Sequence, residues 1–239
     1  VESSASPTGF ANYCSYADLR YLPRLVALVE SIRQFDLRSP IHVLCLDEET
    51  IEQCARVLGE KVSILSLRQL EDAFPVLESA KASRTAMEFV FTLTPYLTKW
   101  VMDHSQIEGP SIYLDADLYF FKSPAAVLEE LGRSDVGIIP HSYPSNRAQS
   151  LRKYGLYNVG WVGFRNTQVG RQCLDWWASQ CLSWCGDEPV DGKYADQGYL
   201  DQFPELFDGV KILENRGFNL APWNTSGQDI LKDSGGRVT

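Results

Sequence analysis

Short continuous apolar runs alternate along this chain with longer stretches in which apolar residues recur every three or four positions. These are the periods of strand and helix. Residues 9–15 read as a first strand. Leu22, Leu25, Val26, Leu28, Val29 and Ile32 then share one helical face over 21–34, with Pro23 in the first turn, where its missing N–H is tolerated. The run PIHVLCL, residues 40–46, predicts a strand buried on both faces. An acidic start at 47–49 predicts a helix over 49–58, followed by a strand at 61–67 and a short helix at 69–74 that stops at Pro75. This βαβαβ order predicts a parallel sheet with right-handed crossovers.

Helical spacing resumes over 80–104, with a break predicted at Pro95 and with Arg84 and Glu88 paired four residues apart on one face. The central strand follows, SIYLDADLYFF at 111–121. Beyond it the pattern predicts a helix over 125–131 begun by Pro124, a strand over 136–139 and a polar, mobile loop over 143–153. Residues 157–166 are strand-like and carry Gly160 and Gly163; Gly inside a strand often marks the close approach of a ligand or another backbone. A helix over 169–182 bears Trp176 and Trp177, residues 193–200 open another helix, and 210–213 form a last strand. Residues 218–224 are irregular and rich in amides, and the polar tail at 226–239 is expected to be disordered. The fold class is α/β: a Rossmann-like, mainly parallel central sheet flanked by helices.

The 239 residues contain no internal repeat or low-complexity linker, so one domain spanning 1–239 is expected. A net charge of −9 argues against a nucleic-acid partner, which needs a basic surface. No apolar run reaches eighteen residues, so no transmembrane segment is expected, while peripheral membrane contact stays open. The polar start at 1–9 lacks the apolar core of a signal peptide. Cys14, Cys45, Cys54, Cys173, Cys181 and Cys185 form no C-x-x-C pair and no zinc spacing. They read as buried reduced thiols of a cytoplasmic protein.

Chemistry enters with Asp115 and Asp117. Residues i and i+2 of a strand point to one face, so the two carboxylates would converge at the strand's C-terminal end. Close carboxylates in an apolar setting repel, and a divalent cation relieves them. Hard oxygen ligands suit Mg²⁺ or Mn²⁺. Two strand-end aspartates can instead cap a turn, and that alternative stays open on the pair alone. No G-x-G-x-x-G follows the first strand and no G-x-x-x-x-G-K-[ST] occurs, so NAD-type and P-loop binding are unsupported. His141 reads as a loop residue, Trp176 and Trp177 as core, and Trp223 as the better sugar platform.

Three segments, YLDADLYFF, YNVGWVGFRN and KYADQGYLDQF, occur in this order. Together they resemble nucleotide-sugar glycosyltransferases of the GT-A fold, in particular the glycogenin-like and lipopolysaccharide galactosyl- and glucosyltransferase group. The resemblance runs from about residue 10 to residue 223. It implies that Asp115 and Asp117 hold Mn²⁺ or Mg²⁺ on the donor diphosphate, with Ala116 between them beside the donor. It implies donor contacts from Tyr13, Ser15, Tyr16 and Arg84. Asn158 would lie near donor and acceptor, and Asp196 and Gln197 beside the reacting carbon of the sugar. The implied donor is a UDP-sugar and the acceptor a glycan, lipid-linked or protein hydroxyl, with retention of configuration, as in the group resembled. Members of this group also supply a late His as a third protein ligand. His42, His104 and His141 all come too early, so that ligand is expected beyond residue 239, or metal affinity is in doubt.

Two other enzyme readings stand beside this one, a phosphatase that shares the Asp-x-Asp pattern and a nucleotidyltransferase on a similar fold. A haloacid-dehalogenase-type phosphatase would want Thr or Val where Tyr119 stands, and would carry its aspartates on the first strand. A nucleotidyltransferase would show a Gly-rich basic loop after the first strand. A third reading is a relative that binds a nucleotide sugar without catalysis.

Overall fold

The computed structural model of the chain describes residues 9–190, 192–225 and 231; the tail read as disordered lies outside these, Leu231 excepted. The first half alternates strand and helix as the apolar pattern demands. It runs β1 (Asn12–Ala17), α1 (Leu22–Arg33), β2 (Ile41–Cys45), α2 (Glu48–Leu58) and β3 (Ser63–Ser66). Helix α2 starts where the Asp47 carboxylate accepts the Thr50 N–H at 2.7 Å. Two short helices, α3 (Leu67–Ala73) and α4 (Leu77–Ser83), lead to α5 (Ala86–His104). The second half contains β4 (Ser111–Leu114), α6 (Ala125–Leu131), β5 (Val136–Pro140), α7 (Ala148–Tyr154), β6 (Tyr157–Phe164), α8 (Gln168–Ser183), α9 (Phe203–Leu206) and β7 (Val210–Ile212).

The strands form one sheet in the order β3-β2-β1-β4-β6-β5-β7. All neighbouring pairs are parallel except β4–β6 and β5–β6, so β6 alone runs against the rest. The chain builds outward from β1 to β3 and returns to place β4 on the other side of β1. That reversal creates a crevice beyond the carboxyl ends of β1 and β4, the usual ligand site of such sheets. Alternation along β1 sends Cys14 and Tyr16 to one face and Tyr13 and Ala17 to the other. The first face is covered by α5 and α8, the second by α1, α2 and α6.

Three expectations change. Helix α5 is not broken at Pro95. Phe89, Leu93, Tyr96, Leu97 and Val101 are buried along it, and this packing outweighs the roughly 3 kcal/mol that an interior proline costs. Arg84 and Glu88 do not form a helix-face pair. Arg84 stands in extended backbone between α4 and α5, while Glu88 closes a capping box with Thr85. The polar stretch at 143–153, read as a mobile loop, contains a 3₁₀ turn (Ser145–Arg147) and α7.

Candidate functional site

Strand β4 ends at Leu114, and Asp115 continues its ladder by donating its N–H to Gly160 O at 2.9 Å. The chain then turns, with Leu118 N–H donating to Asp115 O at 3.1 Å. The two aspartates therefore occupy a turn rather than alternate positions of a strand. Asp115 points inward and is half-buried, whereas Asp117 is exposed. The Tyr113 hydroxyl donates to Asp115 Oδ1 at 2.9 Å. Burial nonetheless raises the Asp115 carboxyl to about 6, helped by the nearby charge of Asp117.

The antiparallel course of β6 brings its beginning to the end of β4. Its register against β5 jumps between Ile138, opposite Val162, and Ile139, opposite Asn158. The bulge so formed is held by Asn158, whose Oδ1 accepts the Gly160 N–H at 2.8 Å. Gly160 has no room for a side chain, because an added Cβ would lie 2.5 Å from Asn158 Oδ1. The same added Cβ would lie 3.3 Å from Asn219 Oδ1 and 3.6 Å from Asp115 Oδ2. The missing side chain leaves a gap edged by three side-chain oxygens.

Gln197 opens a 3₁₀ turn (Gln197–Gln202) packed on this bulge and is 9% exposed. Its Oε1 accepts from Asn158 Nδ2 at 3.1 Å and Val159 N–H at 3.3 Å, and its Nε2 donates to Tyr154 O at 2.8 Å. The amide thus ties α7 to β6. Asp196, beside it, is 5% exposed, and Trp177 Nε1 fixes its carbonyl at 2.8 Å. Ala195 just before it has φ +46°, a strained value for a residue with a side chain. Burial raises the Asp196 carboxyl to about 7, and the Asp115 charge adds to this. The Thr94 hydroxyl lies beside the carboxyl and eases it, although its geometry falls short of a formed hydrogen bond. Tyr16, half-buried with its ring 5.5 Å from that of Tyr113, completes the group from β1; its hydroxyl is pushed up by burial and by Asp196 and Asp115.

Asp115, Asp196, Asn158, Gln197 and Tyr16 are therefore brought together, with Ala116 buried behind the turn. Three residues expected at the donor are placed elsewhere. Tyr13 is 1% exposed on the face toward α1, four residues before the strand end. Ser15 alternates to that same face and is buried, its hydroxyl unpartnered. Arg84 donates to Thr92 Oγ1, to Cys181 O at 2.8 Å and to Leu182 O, clamping α5 to the end of α8.

Two contributors were not foreseen. His141, 2% exposed, follows β5 directly. Its Nδ1 donates to Gly155 O at 3.1 Å, which leaves Nε2 to accept from Asn158 Nδ2 at 3.2 Å. Burial lowers this imidazole to about 4, so it stays neutral. Its place at the carboxyl end of a sheet strand was the available signal. The second is the pair Asn219 and Asn224, in the segment at 218–224 that folds over the site. Asn224 Nδ2 donates to His141 O at 3.0 Å and Asn219 O at 3.1 Å, and Trp223 Nε1 to His141 O at 3.2 Å. Trp223, offered as a sugar platform, has its ring centroid 6.1 Å from that of His141 and 6.0 Å from that of Tyr143.

Neither Asp115 nor Asp196 forms an ion pair among the described residues. Two raised carboxylates at a strand-end crevice, surrounded by oxygen donors, suit a hard divalent cation. No third His, Cys, Asp or Glu joins the aspartates as a cation-holding group among the described residues.

No family model matches the sequence. The chain is 32% identical over 234 residues to the uncharacterized protein YfnF of Bacillus subtilis (strain 168), covering 95% of this chain and 76% of that one. This chain belongs to the YfnF family. It is also 28% identical over 214 residues to YfnD of the same organism, covering 89% of this chain and 68% of that one. Its structure is similar to that of mouse xyloside xylosyltransferase 1 in its apo form, with TM-score 0.56 and 17% identity over 92% of this chain and 91% of that one. It is similar also to galactosyltransferase LgtC in complex with donor and acceptor sugar analogs, with TM-score 0.55 and 17% identity over 86% and 74%. At such identities the likeness establishes the fold, and that fold is GT-A.

Proposed function

We propose that this chain is a metal-dependent glycosyltransferase, with its activity in one GT-A domain. It would move a sugar from a nucleotide diphosphate, a UDP-sugar by preference, to a hydroxyl of a glycan, lipid-linked or protein acceptor. The observation that carries this reading is the acidic centre of Asp115 and Asp196. Asp196 is buried and Asp115 half-buried at the crevice of the sheet, and neither has a cationic partner among the described residues.

Asp115 and Asp117 would hold Mn²⁺ or Mg²⁺, whose Lewis acidity eases departure of the diphosphate. Asp196, about half ionised at neutral pH and fully so above about pH 8, would stabilise positive charge developing on the anomeric carbon of the sugar. Asn158, Gln197 and His141 would act as positioning residues: their mutual hydrogen bonds fix the bulge that carries Gly160 beneath the donor. Tyr16 would line the donor site, while Tyr13, Ser15 and Arg84 serve the core. Retention of configuration is the preferred stereochemistry. Six free, buried thiols suit a reducing compartment such as the cytoplasm. No helix among the described residues is long and apolar enough to cross a membrane.

Thermal melting with Mn²⁺ and UDP, GDP or CMP tests the reading. One nucleotide at 100 times its Kd should add about 2.7 kcal/mol, a rise of roughly 5–10 °C, only when metal is present. The reading fails if no nucleotide does this, or if Asp117→Asn keeps the effect. A second reading is a binding protein without catalysis. Hydrolysis of a UDP-sugar that is lost on Asp196→Asn would exclude it.

A further inference from the structure

The gap over Gly160 faces a residue that neither the Asp-x-Asp pattern nor the Asp-Gln pair includes. Asn219 has φ +53°, a left-handed backbone that side-chain-bearing residues adopt at a cost and that Asn tolerates best. Such strain persists only where the surroundings enforce it. Here Asn224 enforces it, binding the Asn219 carbonyl and the His141 carbonyl with one amide and closing its own turn by accepting the Ala221 N–H at 2.8 Å. The result leaves Asn219 Oδ1 3.3 Å from where a Gly160 Cβ would lie, at the gap that Asp115 Oδ2 also borders. Asn219 Nδ2 is buried and has no hydrogen-bond partner. A buried amide donor without an acceptor costs about 1–3 kcal/mol, so its environment is complete only when something else is bound.

We propose that Asn219 is the third protein ligand of the divalent cation, through Oδ1, with Nδ2 left to donate to an oxygen of the bound diphosphate. This rests on the glycosyltransferase reading above and deepens it. The set Asp115, Asp117 and Asn219 is then all oxygen, which favours Mg²⁺ and Mn²⁺ over softer ions.

The test is Mn²⁺ binding followed by electron paramagnetic resonance, with and without UDP, on the full chain. Asn219→Gly is the clean variant, because Gly keeps the left-handed backbone while removing the side chain. Its melting temperature without metal should match the wild type, and its Mn²⁺ affinity should fall at least about tenfold, since even outer-shell changes cost 10–100-fold. Asn219→His should introduce nitrogen hyperfine coupling to the bound Mn²⁺ that the wild type lacks. A merely structural residue would produce no such signal. Wild-type affinity in Asn219→Gly, or no nitrogen coupling in Asn219→His, overturns the assignment while leaving the glycosyltransferase reading intact. A wild-type chain that takes up no Mn²⁺, with or without UDP, overturns both.

Discussion

Asp196→Asn should stabilise the protein, and by more at pH 8 than at pH 5. The folded chain raises this carboxyl from 3.8 to about 7, chiefly by burial. Between these values the folded state keeps a proton that the unfolded state has released, so stability falls as pH rises through the window and levels off above about pH 8. At about 1.4 kcal/mol for each pH unit, the gap amounts to about 4 kcal/mol, of which about 2.5 kcal/mol falls between pH 5 and pH 8. Part of it is shared with Asp115, whose charge faces Asp196. Asn has nearly the same shape and does not titrate. Urea unfolding with a chelator present, at pH 5 and pH 8, gives the comparison. The wild type should lose about 2.5 kcal/mol more than the variant over that interval, or roughly 5–10 °C in melting temperature. Parallel pH dependences in the two proteins would refute the claim that this carboxylate is ionised at a cost inside the fold.

Gly160→Ala places a methyl 2.5 Å from Asn158 Oδ1 and fills the gap facing Asp115. Binding of Mn²⁺–UDP, measured by calorimetry, should fall more than about tenfold while far-UV circular dichroism is unchanged. Asn158→Leu leaves the Gly160 N–H without its acceptor and His141 Nε2 without its donor. The urea midpoint should report a loss of about 2–3 kcal/mol. Arg84→Met removes a charged donor to the Cys181 and Leu182 carbonyls, so stability should drop by about 1.5–3 kcal/mol. The KM for the donor should stay within twofold, because Arg84 joins two helices and does not touch the site.

Much of the architecture is legible in apolar spacing, since a strand covered on both faces must be apolar throughout and a helix packed on one face must repeat every three or four residues. PIHVLCL became β2 for that reason, and Leu22 to Ile32 became the buried stripe of α1. The parallel order of the first three strands followed from the intervening helices. Pro95 misled because propensity weighs the local chain alone, while α5 lies between the sheet and α8 and is held by burial. Arg84 misled in the same way: spacing pairs it with Glu88, but its real partners are the carbonyls of Cys181 and Leu182, almost a hundred residues on.

The site divides along the same line. By itself the sequence singled out Asp115 by its place after an apolar strand, and Asn158, Asp196 and Gln197 only through the resemblance of their segments to a known family. Only the tertiary structure decided their geometry. The antiparallel return of β6 sets Gly160 against Asp115, and the turn after β4 separates an inward Asp115 from an exposed Asp117. It also brought in His141 and Asn219, which belong to no shared local pattern. Their positions depend on where β5 ends and where the segment at 218–224 folds back, and contacts made over such distances leave no periodicity in the chain to read.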